Sequence, residues 1–223
     1  MNNNANSSSV RRGRPRAAGS DERRKAIVEG AYRAFIELGF AQTSTAEVAR
    51  RAKVSKRTLY EVFDNKMDLF AAVIKKYRPL FLDLPRPDDE VLSLEETLFL
   101  IFRLDITEEE AAEREAILKL MTRESVLFPE LSDYLYESKT IRSREMLMEW
   151  LDKENEKGRI VIDDVGACAG MLMDIVFGAL IPRRWIVDTD ENGQQKCLAE
   201  GRRRQLESIK ERIRIVLRGL QSR

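Results

Sequence analysis

Hydroxyl and basic side chains cluster twice between residues 44 and 66: Ser44-Thr45, then Ser55-Lys56-Arg57-Thr58 with Tyr60, followed by Lys66. Hydroxyl, ammonium and guanidinium groups are donors suited to phosphate oxygens, and a guanidinium can grip the O6 and N7 edge of guanine through two parallel bonds. A third group, Arg12, Arg14 and Arg16, alternates with Gly13 and Pro15 in the run Arg11-Arg12-Gly13-Arg14-Pro15-Arg16. An extended arginine segment of this kind fits the narrow, electronegative minor groove of A·T-rich DNA, in the manner of an AT-hook. The same run also suits a generic basic tail that meets phosphates alone.

Other chemistry finds little support. The 223 residues include no histidine, which removes imidazole general bases, Ser-His-Asp and Cys-His arrangements, and zinc sites built on imidazole. Cys168 and Cys197 form no Cys-x-x-Cys pair, so reduced thiols rather than a thiolate metal site are expected. There is no GxxxxGK[ST] loop, and no GxGxxG follows a strand-like run. Neither catalysis nor a cofactor nor a metal is therefore expected. An enzyme with an accessory DNA-binding head stays open as another class, which turnover surviving removal of the head would support. Residues 1–9 lack the apolar core of a secretory signal. The longest apolar stretch, Val165 to Ile181, is interrupted by Asp174 and falls short of the roughly 20 residues needed to cross a bilayer. A cytoplasmic protein without a membrane partner is the expectation.

Charge points to the elements that must position these donors. Up to Lys66 there are 14 Lys/Arg against 7 Asp/Glu, a net of +7, whereas the remainder carries a net of −6. A basic head on an acidic body suits nucleic-acid binding at one end. Residues 1–19, rich in Asn and Ser, read as a disordered basic arm. Helix 1 then starts near Ser20, with Ile27, Ala31, Ala34, Phe35 and Leu38 at helical spacing and Gly39 as the stop. Ser44-Thr45-Ala46-Glu47 has the pattern of a capping box and opens a short helix to Ala52; Ser55 caps another, expected to reach Phe63. Two capped helices joined by a tight turn form a helix-turn-helix. With Leu59 and Phe63 turned inward, Lys56, Arg57, Tyr60 and Glu61 face outward, and Lys66 at the start of helix 4 is expected to hold a phosphate.

Gly39-Phe40, Thr43-Ser44, Glu47-Val48-Ala49, Val54-Ser55-Lys56-Arg57-Thr58-Leu59-Tyr60, Phe63, Asn65-Lys66 and Leu69-Phe70 together resemble the DNA-binding domain of TetR-family transcriptional regulators over about residues 23–73. The resemblance implies an all-α homodimer, usually a repressor, with a three-helix head that reads a palindromic operator and a body that holds an inducer. It also implies that Ser44 and Thr45 contact phosphate, that Ser55, Lys56, Arg57, Thr58 and Tyr60 supply the contacts of helix 3, and that Lys66 holds phosphate. Three positions depart from the family pattern. Lys53 stands where glycine is usual, so the turn either avoids positive φ or carries strain of about 1 kcal/mol. Arg57 also occupies a frequent glycine position, while Glu61 and Val62 replace aromatic or histidine side chains; Glu61 could accept from a cytosine amine and Val62 touch a thymine methyl.

The expected organisation is an arm (1–19), a helix-turn-helix domain (20–66) and a helical regulatory and dimerisation domain (67–223). Helix 4 is expected to run to about Leu84, followed by helical patterns near 94–104, 108–125, 131–157, 164–181 and 200–220. Phe99, Phe102, Met121, Met146, Trp150, Met171 and Met173 are candidate linings for a small apolar or amphipathic effector, and each also fits plain core. Gly170 and Phe177, with Ile209, Ile213 and Val216 on the last helix, are candidates for a dimer seam. The alternative, equal on the residues alone, is that both helices complete the monomer core; pairing is favoured because the resembled family pairs through its last two long helices. The partners expected are double-stranded DNA, a second copy of the chain and the effector, in a ligand-responsive repressor. An architectural A·T-rich DNA-binding protein, or an activator, remains the alternative.

Overall fold

Alanine and long straight-chain residues dominate the stretches between turn signals, and the computed structural model of the chain, which describes residues 16–180 and 198–220, shows only helices as regular structure among them. In the head these are α1 (Arg16–Gln42), α2 (Thr45–Arg51) and α3 (Lys56–Tyr60), followed by α4 (Lys66–Tyr77). The body contains α5 (Leu94–Ile101), α6 (Glu108–Leu127), α7 (Pro129–Glu137), α8 (Ser143–Glu156), α9 (Val165–Leu180) and α10 (Leu198–Leu220). The chain divides into two units between Val73 and Ile74, inside α4 rather than at its first residue. No described helix is long and apolar enough to cross a membrane.

Four expected boundaries move. Helix 1 begins at Arg16, ahead of the Ser20 cap, because Ala17 and Ala18 are strong helix formers and Arg23 Nε donates to the Gly19 carbonyl (2.7 Å). The third helix ends at Tyr60 rather than Phe63, since the Val62 amide turns back to the Leu59 carbonyl and tightens the last turn. Helix 4 stops at Tyr77 because Pro79 forces a short 3-10 turn over Arg78–Leu80. The single helix expected over 131–157 is two, α7 and α8.

Left-handed residues explain that last break and three other helix ends. Lys53, Arg103 and Lys139 have φ of 54°, 51° and 56°, and Gly158 has 70°. After α2 the Lys53 amide donates to Arg50 and the Val54 amide to Ala49; after α5 the pairs are Arg103 to Leu100 and Leu104 to Phe99. Lys139 to Tyr136 with Thr140 to Leu135, and Gly158 to Asn155 with Arg159 to Glu154, repeat the scheme after α7 and α8. Each is a Schellman motif, which satisfies the last helical carbonyls at a left-handed residue. Three of the four place a long basic side chain where glycine has no steric cost.

The head core gathers Ile27, Ala31 and Phe35 of α1, Val48 of α2, Leu59 of α3, and Leu69, Phe70 and Val73 of α4, with Phe63 between the last two helices. Phe70 lies edge-on to both Phe35 and Phe40, with ring centroids 5.1 and 5.4 Å away. In the body, Leu98, Ile101 and Phe102 pack with Leu147, Trp150, Leu172, Val176, Ile209 and Ile213 in one cluster.

Lys53 and Lys139 are exposed, so replacing either removes backbone strain with little loss of packing. Lys53→Gly and Lys139→Gly are each expected to raise unfolding free energy by up to ~1 kcal/mol, measured by urea denaturation. A loss of stability in both would contradict the left-handed assignment.

Candidate nucleic-acid interface

Ser44 and Ser55 start the two helices in the way their side chains favour. The Ser44 hydroxyl accepts from the Glu47 amide (3.1 Å), and the Ser55 hydroxyl accepts from the Thr58 amide (3.0 Å) while sharing a 2.8 Å bond with the Thr58 hydroxyl. Only half of the expected capping box at Ser44 forms. The Glu47 carboxylate turns instead to Arg50 (2.9 and 2.7 Å) and Arg51 (2.7 Å), and Arg51 also reaches Glu37 on α1 (2.6 Å). Two guanidiniums outcompete one backbone amide for a carboxylate. Hydrogen bonds from Arg50, then Arg51, hold the Glu47 carboxyl down to about 2.

With Leu59 and Phe63 buried, Lys56, Arg57, Tyr60 and Glu61 come to the outside of α3. Tyr60 is 46% exposed, and its hydroxyl is 3.0 Å from the Thr45 hydroxyl, which ties the start of α2 to the end of α3. The Lys56 ammonium lies over the Tyr60 ring at 5.8 Å. Arg57 pairs with Glu61 at 3.2 Å in a solvent-exposed bond that carries little energy, so the guanidinium is easily redirected. Thr45, Lys56, Arg57 and Tyr60 are thus brought to neighbouring places, with Ser44 and Ser55 at the helix starts. Thr58 is half-buried and its hydroxyl is engaged in the cap. Glu61 closes α3, and Val62 lies beyond its end, where its carbonyl accepts from Arg24 (3.5 Å).

Lys66 is engaged within the head. Its ammonium donates to the carbonyls of Phe40 (2.8 Å) and Ala41 (3.4 Å) and sits 4.3 Å above the Phe40 ring, so it braces the bend after Gly39. Arg12 and Arg14 lie outside the described residues, as does the arm proposed for the minor groove; Arg16 opens α1, and its side chain is outside the description. Sequence reading missed Arg24, whose guanidinium covers the Phe63 ring at 4.5 Å. It also missed Gly30, where a Cβ would stand 2.9 Å from the Ala52 nitrogen. Only a residue without a side chain lets α1 approach the turn that closely.

The residues expected in the body separate in the same way. Phe102 and Trp150 belong to the core cluster, Phe99 and Met173 pack against it, and Met121 and Met146 are half-buried. Met171 is 44% exposed and lines nothing internal. A cleft of about 480 Å³ bordered by Ser93, Glu95, Arg159, Arg214 and Arg218 involves none of the seven. Ile209, Ile213 and Val216 are buried in the chain's own core, while Phe177 and Gly170 are half-buried, Phe177 packing on Phe81 and Phe102 and Gly170 facing the exposed Arg144.

Two family models match this chain. One, bacterial regulatory proteins of the tetR family, covers residues 27–73; the other, the C-terminal domain of AefR-like transcriptional repressors, covers residues 107–201. The chain belongs to the TetR family. It is a DNA-binding transcriptional regulator. The HTH-type transcriptional regulator YvkB of Bacillus subtilis is 27% identical over 169 residues, 74% of this chain and 84% of that protein. The HTH-type transcriptional activator FasR of Mycolicibacterium smegmatis is 36% identical over 76 residues, 30% of this chain and 35% of that protein. Among solved structures, Salmonella enterica GusR has a TM-score of 0.65 at 22% identity over 88% of this chain and 95% of its own. The flavonoid-responsive regulator FrrA has a TM-score of 0.60 at 24% identity over 91% and 99%.

Two outcomes check this geometry. The Glu47 pKa is lowered on folding, so its stabilisation is present above its ordinary value of 4.5 and is lost as pH falls toward about 2. The melting-temperature gap between the parent and Glu47→Gln should therefore be widest above pH 4.5 and close toward pH 2; a gap that widens in acid would contradict the network. Lys66→Ala should cost ~1–2 kcal/mol of stability and leave the salt slope of DNA binding unchanged, whereas a phosphate contact would flatten that slope by about one unit.

Proposed function

We propose that this TetR-family chain is a homodimeric, ligand-responsive repressor that reads a palindromic operator through the outward side of α2 and α3. The observation that carries the reading is the grouping of half-buried Thr45 with exposed Lys56, Arg57 and Tyr60 on rigidly backed positions of two capped helices. In this scheme Ser44, Thr45 and Ser55 position the head on phosphates, Lys56 and Tyr60 contact the backbone or a base edge, and Arg57 leaves Glu61 to grip a guanine. A helix of five residues rises roughly 8 Å and reaches few base edges, so specificity calls for two copies about 34 Å apart on one side of the duplex.

The pairing surface we assign is the outer side of α9 and α10. Met171, Asp174 and Gly178 share one stripe; Ser208, Arg212, Ile215 and Gly219 share the other, with Ile215 58% exposed. A Cβ at Gly178 or Gly219 would meet nothing within 4 Å, which leaves room for close helix approach by a second copy. Repression rather than activation is favoured by the match of the body to a repressor C-terminal domain; the likeness to the activator FasR supports the second reading. Ligand bound in the body would favour a conformation with the paired heads at the wrong spacing, at a coupling of about 1–3 kcal/mol. The route would be α4, which continues through the division between the units. The regulator would act in the cytoplasm, where its DNA lies.

Selection of bound duplexes from a random pool tests this. The expected site has two-fold symmetry and is preferred over scrambled DNA by at least ~10³ at fixed salt. Arg57→Ala should relax one base position in each half-site at a cost of ~1–3 kcal/mol. An asymmetric site, or no preference over scrambled duplex, would overturn the reading.

A further inference from the structure

Arg114 carries a charge that the body does not balance. It stands on α6, is 2% exposed, and its Nη1 donates to the carbonyls of Phe102 (3.2 Å) and Arg103 (2.9 Å) at the end of α5. No carboxylate pairs with it among the described residues. Burial pulls its pKa down to about 10, repulsion from Arg202 and Arg103 acts in the same direction and Asp105 opposes it, so the group is still a cation at neutral pH. An unpaired buried charge is strongly unfavourable, and protein sites that keep one usually put it to use.

Its geometry says what that use is. The two carbonyls occupy one terminal nitrogen. The edge formed by Nε and Nη2 has no hydrogen-bond partner among the described residues, and its two parallel N–H groups match the two oxygens of a carboxylate. Two more guanidiniums gather on residues 102–107. Arg103 Nε is buried without a hydrogen bond, while its guanidinium lies 3.8 Å from Asp105 and 3.7 Å from Glu110 and donates to the Pro79 carbonyl (3.4 Å), and Arg202 from α10 donates to the carbonyls of Thr107 (3.0 Å) and Ile106 (3.4 Å). The neighbouring surfaces are apolar: Phe102 is fully buried with its ring 6.0 Å from Phe177, and Ile117, one turn along α6, is fully buried too. Capping of α5 accounts for Nη1 alone and leaves the rest of the fork unexplained.

We propose that the Nε/Nη2 edge of Arg114 receives the carboxylate of the body's ligand, an otherwise apolar organic acid, with Arg103 and Arg202 adding positive potential. This rests on the ligand-responsive reading above and gives that ligand a chemical class.

The test titrates the full chain by calorimetry with octanoate, 4-phenylbutyrate and indole-3-acetate, each beside its methyl ester, and measures operator affinity with and without each compound. At least one acid should bind about tenfold or more tighter than its ester. Arg114→Gln should abolish that preference. Arg114→Lys keeps a cation for the two carbonyls but lacks the fork; it should fold as the parent does and lose most of the preference. Equal binding of acids and esters, no binding by any acid, or a preference that survives in Arg114→Lys would overturn the proposal. Esters that bind and loosen the operator complex while the acids do neither would keep ligand response and remove Arg114 from it. Acids that bind through Arg114 without changing operator affinity would do the reverse.

Discussion

A helix of five residues cannot hold itself together in water, because the cost of nucleation exceeds what one or two internal hydrogen bonds return. The shape of α3, and with it the direction of every side chain that faces outward from it, is therefore set by the packing beneath. Leu59 and Phe63 enter the core built by Phe35 and Phe70, and Gly30 lets α1 come close enough to the Ala52 backbone to support the turn. The Lys66 ammonium holds the bend after Gly39 against the same aromatic group. The core thus fixes the outward surface of α3 more than the propensity of α3 does.

Charge in the head is divided by the same packing. Arg24, Arg50, Arg51 and Lys66 are committed to internal partners: the Val62 carbonyl and the Phe63 ring, Glu47, Glu37, and the carbonyls after Gly39. Lys56 and Arg57 on α3 have nothing firmer than a ring at 5.8 Å and one exposed glutamate. Net positive charge alone does not separate the two groups. The separation follows from which cations have a carboxylate, carbonyl or ring within reach on a neighbouring turn or helix, and it leaves Lys56 and Arg57 loosely held on the outward side of α3.

Much of this was legible in the residue order. Ser44 and Ser55 cap where their positions before apolar periodicity place them, and the starts of α5 and α6 at Leu94 and Glu108 agree with the pattern reading. The helix ends were harder. Lys53, Arg103 and Lys139 take left-handed backbone without being glycine, so α7 and α8 read as one element and the strain at Lys53 could only be posed as a question. Amphipathic spacing marked Ile209, Ile213 and Val216 as a seam but gave no sign of whether the seam closes within one chain or between two; the structure puts them in the chain's own core. The role of Lys66 depends on the carbonyls of Phe40 and Ala41, 26 and 25 residues away along the chain, which no local pattern signals. Arg114 gave no signal either, because a basic residue in a charged helix looks solvated until its burial is known.

The most direct measurement of the central claim is a crystal structure of the full chain on its selected duplex. The account predicts α3 of each copy in the major groove, with Lys56, Arg57 and Tyr60 within hydrogen-bond distance of bases or phosphates and the Thr45–Tyr60 side of the head against the backbone. A complex in which that face of α3 points into solvent while DNA lies on another surface would contradict it.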